Sequence, residues 1–217
     1  MLPYTPEVLY SFLAQYNAAL WPWQALAAAL ALTAVVLALR GGAAGGRAIS
    51  ALLAAGWLWC GAVFHLQHFE TINIFAQYFA PVFLLQALLL LWTGVLRGHL
   101  VFNLRPDILG GFAVVLILTA FILTPLLGWF GGYNIDGAAV VGLTPAPTLL
   151  FTLALLLIAE GRTPLHLLFL PLVAVGIGAA EAWLLRLPWE ALPPLLGLLG
   201  LAAILAKNRR ARQPAAS

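Results

Sequence analysis

Long apolar runs, separated by short breaks that carry Gly, Pro or charge, dominate the sequence. A helix needs about 20 apolar residues to cross the hydrocarbon core of a bilayer. Leu and Ala outnumber β-branched residues in these runs, and polar and apolar positions do not alternate, so the pattern indicates helices rather than membrane strands. We predict an all-α, polytopic transmembrane helix bundle of about seven spans, at 21–39, 48–69, 74–96, 108–127, 147–159, 164–185 and 189–206.

The two ends of the chain lie outside these spans. Residues 6–16 carry apolar side chains at helical spacing, which predicts a short helix in the membrane interface, and we assign 1–17 to an outer interfacial segment. Residues 1–206 then form a single transmembrane bundle. Residues 207–217 are basic and polar, which predicts a disordered cytoplasmic tail facing anionic lipid.

The fifth predicted span is unusually short. Its 13 residues would extend about 20 Å as a helix, whereas the hydrocarbon core is about 30 Å thick. Pro145 and Pro147 stand at its start, and proline disfavours helix in the residues before it. We predict that residues 143–147 are non-helical and line a recess. The alternative is a helix that is kinked at Pro145 and reaches back to Val140.

Charge is scarce and unevenly distributed. Charged residues make up 8% of the chain and hydrophobic residues 64%, whereas soluble domains carry roughly 25% charge. Nine of the ten basic residues fall in alternate breaks, and only Arg186 falls on the other side. Since basic loops remain cytoplasmic, we predict the N-terminus outside and the C-terminus in the cytoplasm. The cytoplasmic placement of basic loops also explains the basic pI, so the sequence does not predict nucleic-acid binding. The expected partner is the lipid bilayer.

Polar side chains gather at the predicted outer ends of the spans. Unpaired polar groups are costly inside a bilayer, so such a cluster favours a site. The alternative is a set of interhelical hydrogen bonds, worth about 0.6 kcal/mol each, that stabilise the bundle. We predict a pocket on this side, with His65 pointing into the bundle. The candidate pocket residues are His65, its expected hydrogen-bond partners Asn17, Gln24, Asn73 and Thr148, and also Gln77 and Glu181.

Cofactor hypotheses depend on the histidines and on one lysine. A divalent metal held by His65, His68 and Glu70 is one hypothesis, because imidazole and carboxylate suit zinc or copper. A proton relay through His65 and Glu181 is another. Lys207 is the only lysine and lies in the predicted tail, which excludes a retinal Schiff base in the bundle. The histidines lie at unequal predicted depths, which argues against haem, so no cofactor is firmly implied.

Several motifs in combination resemble a known family. They are Tyr16-Asn17 with Trp21-Pro22 and Gln24, Phe64-His65 leading to Ile72-Asn73, Gln86-Ala87-Leu88 before Trp92, and the GLTPAPT stretch at 142–148 followed by Phe151-Thr152. Together they resemble the bacterial multi-pass membrane family DUF6064, a domain of unknown function. Cys-Pro-Thr is usual in that family where this chain has Ala146-Pro147-Thr148, which weakens any role for a thiol there. The resemblance covers nearly the whole chain and implies a multi-pass protein of the bacterial inner membrane, but no activity.

Three functions remain open. The first is a periplasm-facing pocket that binds or transports a small solute or cation; five of the seven carboxylates fall on that side, which favours cations. The second is an accessory subunit of a larger respiratory or photosynthetic membrane complex, because the loops are short and the surface is rich in Leu. The expected partners besides lipid are another membrane protein or further copies of this chain. The third and least favoured is an intramembrane metal-dependent hydrolase. Whether the protein is an enzyme therefore stays open, and a role without catalysis is favoured.

Overall fold

The structure is a computed structural model that describes residues 2–211. The described chain is all-helical, without strands. In the described residues, three α-helices are followed directly by π-helical segments, at Cys60–His68, Leu91–Leu96 and Thr119–Leu123. The α-helices are α1 (Pro6–Ala19), α2 (Trp23–Arg40), α3 (Ala43–Trp59), α4 (Ala76–Leu90), α5 (Ile108–Leu118), α6 (Thr124–Phe130), α7 (Pro145–Leu157), α8 (His166–Leu184) and α9 (Leu192–Arg210).

Within residues 2–211, six helical stretches are long and apolar enough to cross a membrane, by length and composition. They are Trp23–Arg40, Ala43–Thr71, Ala76–Leu96, Ile108–Phe130, His166–Leu184 and Pro188–Arg210. The all-helical prediction is confirmed, and each stretch corresponds to one predicted span. The remaining predicted span corresponds to α7, which is only 13 residues long.

The short helix α7 lies in the centre of the bundle. Every residue from Pro147 to Leu157 is buried, and α7 packs against α3, α5, α8 and α9. Non-helical backbone at membrane depth is tolerated where protein rather than lipid surrounds it. Because other helices surround α7, its length does not have to match the thickness of a bilayer.

The chain immediately before α7 is non-helical and held by threonines. Thr144 has extended backbone angles, and its Oγ1 accepts a hydrogen bond from Val140 N at 2.9 Å. Thr148 Oγ1 accepts another from Gly142 N at 2.8 Å. The predicted break is therefore present at residues 143 and 144, whereas Pro145 and Pro147, which were also expected to be non-helical, belong to the first turn of α7. The alternative of a helix reaching back to Val140 is wrong.

Hydrogen bonds define the two ends of the bundle. At the first, which we call the basic end, Leu104 N donates to Ala38 O at 3.0 Å, and Arg105 forms an ion pair with Glu160 at 3.1 Å. At the opposite end, the α1 end, α1 lies across the bundle. There Tyr16 Oη donates to Leu143 O at 2.9 Å. The motifs that suggested a site are therefore concentrated at the α1 end.

The structure corrects the start of the predicted tail. Helix α9 runs to Arg210, so Lys207 is helical rather than part of a disordered tail. The ammonium of Lys207 donates to Leu156 O, Leu157 O and Ala159 O at 3.3, 3.1 and 2.8 Å. These carbonyls lie at the C-terminal end of α7, where a positive charge is favoured by the helix dipole. The rest of the predicted tail, 212–217, lies outside the described residues.

Candidate functional site

A cavity of about 140 Å³ lies at the α1 end of the bundle. It is bounded by α1, the π-helical segment after α3, α4, α6, the start of α7, and the turn between α8 and α9. The break before α7 contributes to its wall, as the sequence predicted for this stretch. The break contributes Thr144 to the lining, and the first turn of α7 contributes Pro145, Ala146 and Pro147.

His65 contributes an imidazole to the wall of this cavity. It lies in the π-helical segment Cys60–His68 and is only 3% exposed. Aromatic rings surround it, and their centroids lie 4.7–6.0 Å from the imidazole; they belong to Phe64, Phe69, Phe79 and Phe83. Neither ring nitrogen has a hydrogen-bond partner among the described residues.

An imidazole in this state is energetically unfavourable without a ligand. A buried polar group without a partner costs about 1–3 kcal/mol, and such groups are rare enough in native proteins to require an explanation. His65 also lies in a π-helical segment of nine residues, and π-helical backbone is rare and often found at functional sites. His65 therefore combines two independent indications of a binding site.

Two carboxyl groups also line the cavity, Glu181 near the end of α8 and Glu190 just before α9. Tyr4 Oη donates to Glu181 Oε1, and Tyr10 Oη donates to Glu190 Oε1 at 2.6 Å. Trp189 Nε1 donates to Tyr10 Oη at 3.0 Å. The two tyrosines thus tie the N-terminal segment to the α8–α9 turn and hold both carboxyl groups in the cavity wall.

The tyrosines near the cavity are held in their neutral form. Burial raises the pKa of Tyr10 well above its ordinary value, and the nearby Glu190 raises it further. Burial and Glu181 raise the pKa of Tyr4 in the same way. Both hydroxyls therefore remain hydrogen-bond donors to the carboxyl groups at any ordinary pH.

Carboxyl groups outnumber basic groups in the cavity wall. Its described lining residues include Glu181 and Glu190 but neither Lys nor Arg. Most of the remaining lining is apolar or aromatic. Such a wall favours a positively charged or hydrogen-bond-donating group that is attached to an apolar body.

The structure brings together only part of the predicted pocket. Of the predicted residues, His65 and Glu181 line the cavity. Asn17 Nδ2 instead donates to the carbonyls of Asp136 and Ala138, at 2.6 and 2.9 Å. Gln24 Nε2 donates to Asn17 O at 2.6 Å. Both amides tie segments of the α1 end together and do not contact the imidazole.

The other three predicted pocket residues also form local hydrogen bonds. Asn73 Oδ1 accepts from Phe75 N at 3.0 Å, and Gln77 Nε2 donates to Ile74 O at 3.1 Å. Thr148 Oγ1 donates to Thr144 O at 2.7 Å. The expected hydrogen bonds between His65 and Asn17, Gln24, Asn73 or Thr148 are therefore wrong for the described residues. His65 itself is buried.

The structure does not assemble the predicted metal ligands into one set. His68 Nδ1 lies 3.0 Å from Val63 O, and its ring packs edge-on against Tyr16. Glu70 is exposed, whereas His65 is enclosed by aromatic rings. No group of three or more His, Cys, Asp or Glu side chains in residues 2–211 is placed to hold a metal ion.

Sequence reasoning missed Glu190 and the two tyrosines as site residues. Glu190 was counted only as an outer carboxylate, and it lies 180 residues from Tyr10 along the chain. One signal was present: a carboxylate at the start of an apolar stretch, beside Trp189, is unusual unless it has a partner. The identity of that partner required the tertiary structure.

Comparison with known families identifies the chain. A model of a family of unknown function, DUF6064, matches residues 6–215. The chain belongs to DUF6064. A search of curated proteins and a search of solved structures each found no match. Membership of DUF6064 confirms the family resemblance seen in the sequence and assigns no activity.

Two of the stretches that resembled DUF6064, at Tyr16 and at 142–148, meet at the start of α7. Tyr16 Oη, which donates to Leu143 O, accepts in turn from Trp59 Nε1 at 2.9 Å. Cys60 Sγ lies 3.7 Å from Thr148 Oγ1. These contacts fix the break before α7, whereas the Phe64-His65 motif and residues 144–147 line the cavity themselves.

Proposed function

We propose that this protein is a membrane-embedded binding protein for a small organic cation with an apolar body. The observation that carries the proposal is His65, a buried imidazole with two unpartnered nitrogens in the wall of a cavity. A neutral imidazole offers one donor and one acceptor. A ligand that satisfies either nitrogen gains the free energy of a hydrogen bond to a buried group.

Two further features support a cation. Aromatic faces attract cations, by about 0.5–2 kcal/mol per favourable contact, and several rings line the cavity. Glu181 and Glu190 provide carboxyl groups without a basic residue among the described lining. The apolar remainder of the wall, including Leu13, Leu127 and Leu149, suits a hydrocarbon or aromatic body.

The proposal includes an orientation and a location. We place the basic end on the cytoplasmic side of a bacterial inner membrane, because basic residues favour that side. The cavity then opens towards the periplasmic side, and binding there is the first step of uptake or sensing. The metal-dependent hydrolase is not proposed, because its expected ligands lie apart.

Binding of phenethylammonium to the detergent-purified protein tests the proposal, with neutral 2-phenylethanol as the matched probe. We expect the ammonium compound to bind more tightly by about tenfold or more, equivalent to about 1.4 kcal/mol, in isothermal titration. Glu181→Gln should reduce this preference, whereas Glu70→Gln, at an exposed carboxylate, should not. Equal affinity for both probes, or no binding of either, would contradict a cation site.

Native mass spectrometry of the same preparation tests the competing function. An accessory subunit would retain a stoichiometric protein partner through purification. A monomer or homo-oligomer that carries only a small molecule supports the binding protein.

A further inference from the structure

A second concavity lies outside the cavity wall, on the surface formed by α8 and α9 at the α1 end. It is a groove of about 540 Å³. Ala182, Leu187 and Pro194 line both the groove and the cavity, so the two are separated only by these side chains. The other groove residues are Ala179, Trp183, Arg186, Pro188, Ala191, Leu195 and Leu198.

Arg186 is the only charged residue among the described residues that line this groove. It is also the only Lys or Arg of the α1 end in the described part of the chain, since the others lie in the breaks of the basic end. Its guanidinium forms no ion pair with another described residue. A lone, exposed arginine in an apolar groove indicates an anionic partner from outside the chain.

The backbone at Arg186 adopts an unusual conformation. Its φ of 56° lies in the left-handed region, and it is the only described residue other than glycine with positive φ. Leu187 N donates to Ala182 O at 2.9 Å, which closes the turn around it. Strained positions of this kind are often found at binding sites, and here the turn holds the arginine at the mouth of the groove.

The surroundings of the groove are those of a membrane interface. Trp183 is 82% exposed, and Leu195 and Leu198 are exposed on the same surface. Tryptophan concentrates at the level of the lipid headgroups. The groove therefore extends from headgroup level, at Trp183 and Arg186, towards the apolar surface of α9.

We propose that this groove is a binding site for one anionic phospholipid, with its phosphate on Arg186 and an acyl chain between α8 and α9. Arginine matches phosphate with parallel N–H donors, and the apolar side chains match the acyl chain. The basic end attracts anionic lipid diffusely through many charges, whereas this site holds a single lipid at the opposite end. It does not depend on the cation cavity, because neither His65 nor Glu190 takes part.

Native mass spectrometry of the full chain with palmitoyl-oleoyl phosphatidylglycerol tests the site, and phosphatidylcholine with the same chains is the comparison lipid. We expect one phosphatidylglycerol to bind about tenfold more tightly than phosphatidylcholine. Arg186→Gln should remove this preference by weakening the first phosphatidylglycerol about tenfold. Arg209→Gln, an exposed arginine of the basic end, should leave the first binding step unchanged.

A second pair of variants tests the acyl-chain part of the groove. Ala179→Phe places a ring inside the groove and should prevent the first lipid from binding, whereas Ala180→Phe, one residue further on α8 and outside the groove, should not. Size-exclusion chromatography checks that each variant folds. If Ala179→Phe does not fold, the lipid binding of Arg186→Gln alone tests the proposal. Unchanged lipid binding in Arg186→Gln, equal loss in Ala180→Phe, or a protein partner cross-linked at Ala179 would overturn the proposal.

Discussion

His65 lowers the stability of the folded protein but offers two hydrogen-bonding nitrogens to a ligand. Both of its ring nitrogens lack partners among the described residues, and yet the imidazole is packed by aromatic rings on several sides. An apolar residue of similar size would fit this environment better when the cavity is empty. Residues that lower the stability of the unliganded protein are common at binding sites.

The first prediction concerns His65→Leu. We expect this variant to be more stable than the wild type by about 1 kcal/mol, because an unsatisfied buried group is removed, and to lose binding of phenethylammonium. Unfolding by denaturant in detergent and isothermal titration measure the two effects. A large loss of stability would show that His65 has a structural partner instead.

His68→Leu is the matched control for His65→Leu. Nδ1 of His68 lies 3.0 Å from Val63 O, and the ring packs against Tyr16, outside the cavity lining. We expect a loss of about 0.5–1.5 kcal/mol in stability, the ordinary value for one hydrogen bond. Cation binding should persist in this variant.

Lys207 provides the second prediction at the scale of single residues. Besides the three carbonyls of α7, its ammonium donates to Thr163 Oγ1 at 2.9 Å. Lys207→Met should lower the free energy of unfolding by about 2 kcal/mol, because charge-assisted bonds at the end of a buried helix are lost. Arg209→Met, an exposed neighbour, should change it by less than about 0.5 kcal/mol. Equal effects of the two substitutions would contradict a specific cap on α7.

At the scale of elements, α1 is the cover of the cavity. It contributes Leu9, Tyr10 and Leu13 to the lining, and it is attached to the α8–α9 turn through Tyr10 and Glu190. Tyr10 also stacks on Tyr133, with ring centroids 4.0 Å apart. The docking of this helix therefore depends on a few hydrogen bonds and ring contacts that can be removed one at a time.

The contribution of Tyr10 to the docking of α1 should decrease at alkaline pH. The pKa of Tyr10 is raised above its ordinary value of about 10 by burial and by Glu190. A raised folded-state pKa stabilises the folded state fully below about pH 10, and this stabilisation is lost as the pH rises further. We expect a melting temperature that does not change through Tyr10 at neutral pH and that falls above about pH 10.

Tyr10→Phe isolates that contribution. The variant should lose about 1–3 kcal/mol at neutral pH, the value of the two hydrogen bonds that Tyr10 Oη makes with Glu190 and Trp189. Its melting temperature should fall less steeply at alkaline pH than that of the wild type. Tyr78→Phe, at a tyrosine that is 69% exposed, should leave the pH profile unchanged. If the melting temperatures of Tyr10→Phe and the wild type fall equally above about pH 10, the hydrogen bond between Tyr10 and Glu190 does not hold α1 in place.

At the scale of the whole molecule, the proposed topology can be tested by labelling. Ala44→Cys and Arg210→Cys, both exposed at the basic end, should be protected from an impermeant thiol reagent in intact cells, and Asn134→Cys should react. The native Cys60 is buried and free of disulfides, so it should not contribute to labelling. Reaction of Ala44→Cys from outside would overturn the orientation of the spans and the periplasmic location of the cavity.

The bundle itself was predictable from the sequence because its cause is local. Each apolar run is long enough to form a helix that buries its own backbone hydrogen bonds, and the six long helices appear where the runs lie. The break before α7 was predictable for a similar reason, because proline restricts the residues just before it. The break is nevertheless shorter than predicted, because Pro145 and Pro147 are accommodated in the first turn of α7.

The cavity was predictable only in part. Its location followed from the polar residues at one end of the predicted spans, and His65 and Glu181 do line it. The predicted hydrogen bonds of His65 were wrong, because backbone carbonyls near Asn17 and Gln24 compete for their amides. Such competition depends on loop conformations that hydrophobic periodicity does not encode.

The sequence by itself determined the class of protein: the helices, their apolar surfaces and the separation of basic residues to one end all depend on local composition. Only the tertiary structure decided that α7 is central and short, that His65 is enclosed by aromatic rings, and that Tyr10 reaches Glu190. The physical reason is that helix formation depends on neighbours within a few residues. The site instead depends on contacts between side chains as far as 180 residues apart.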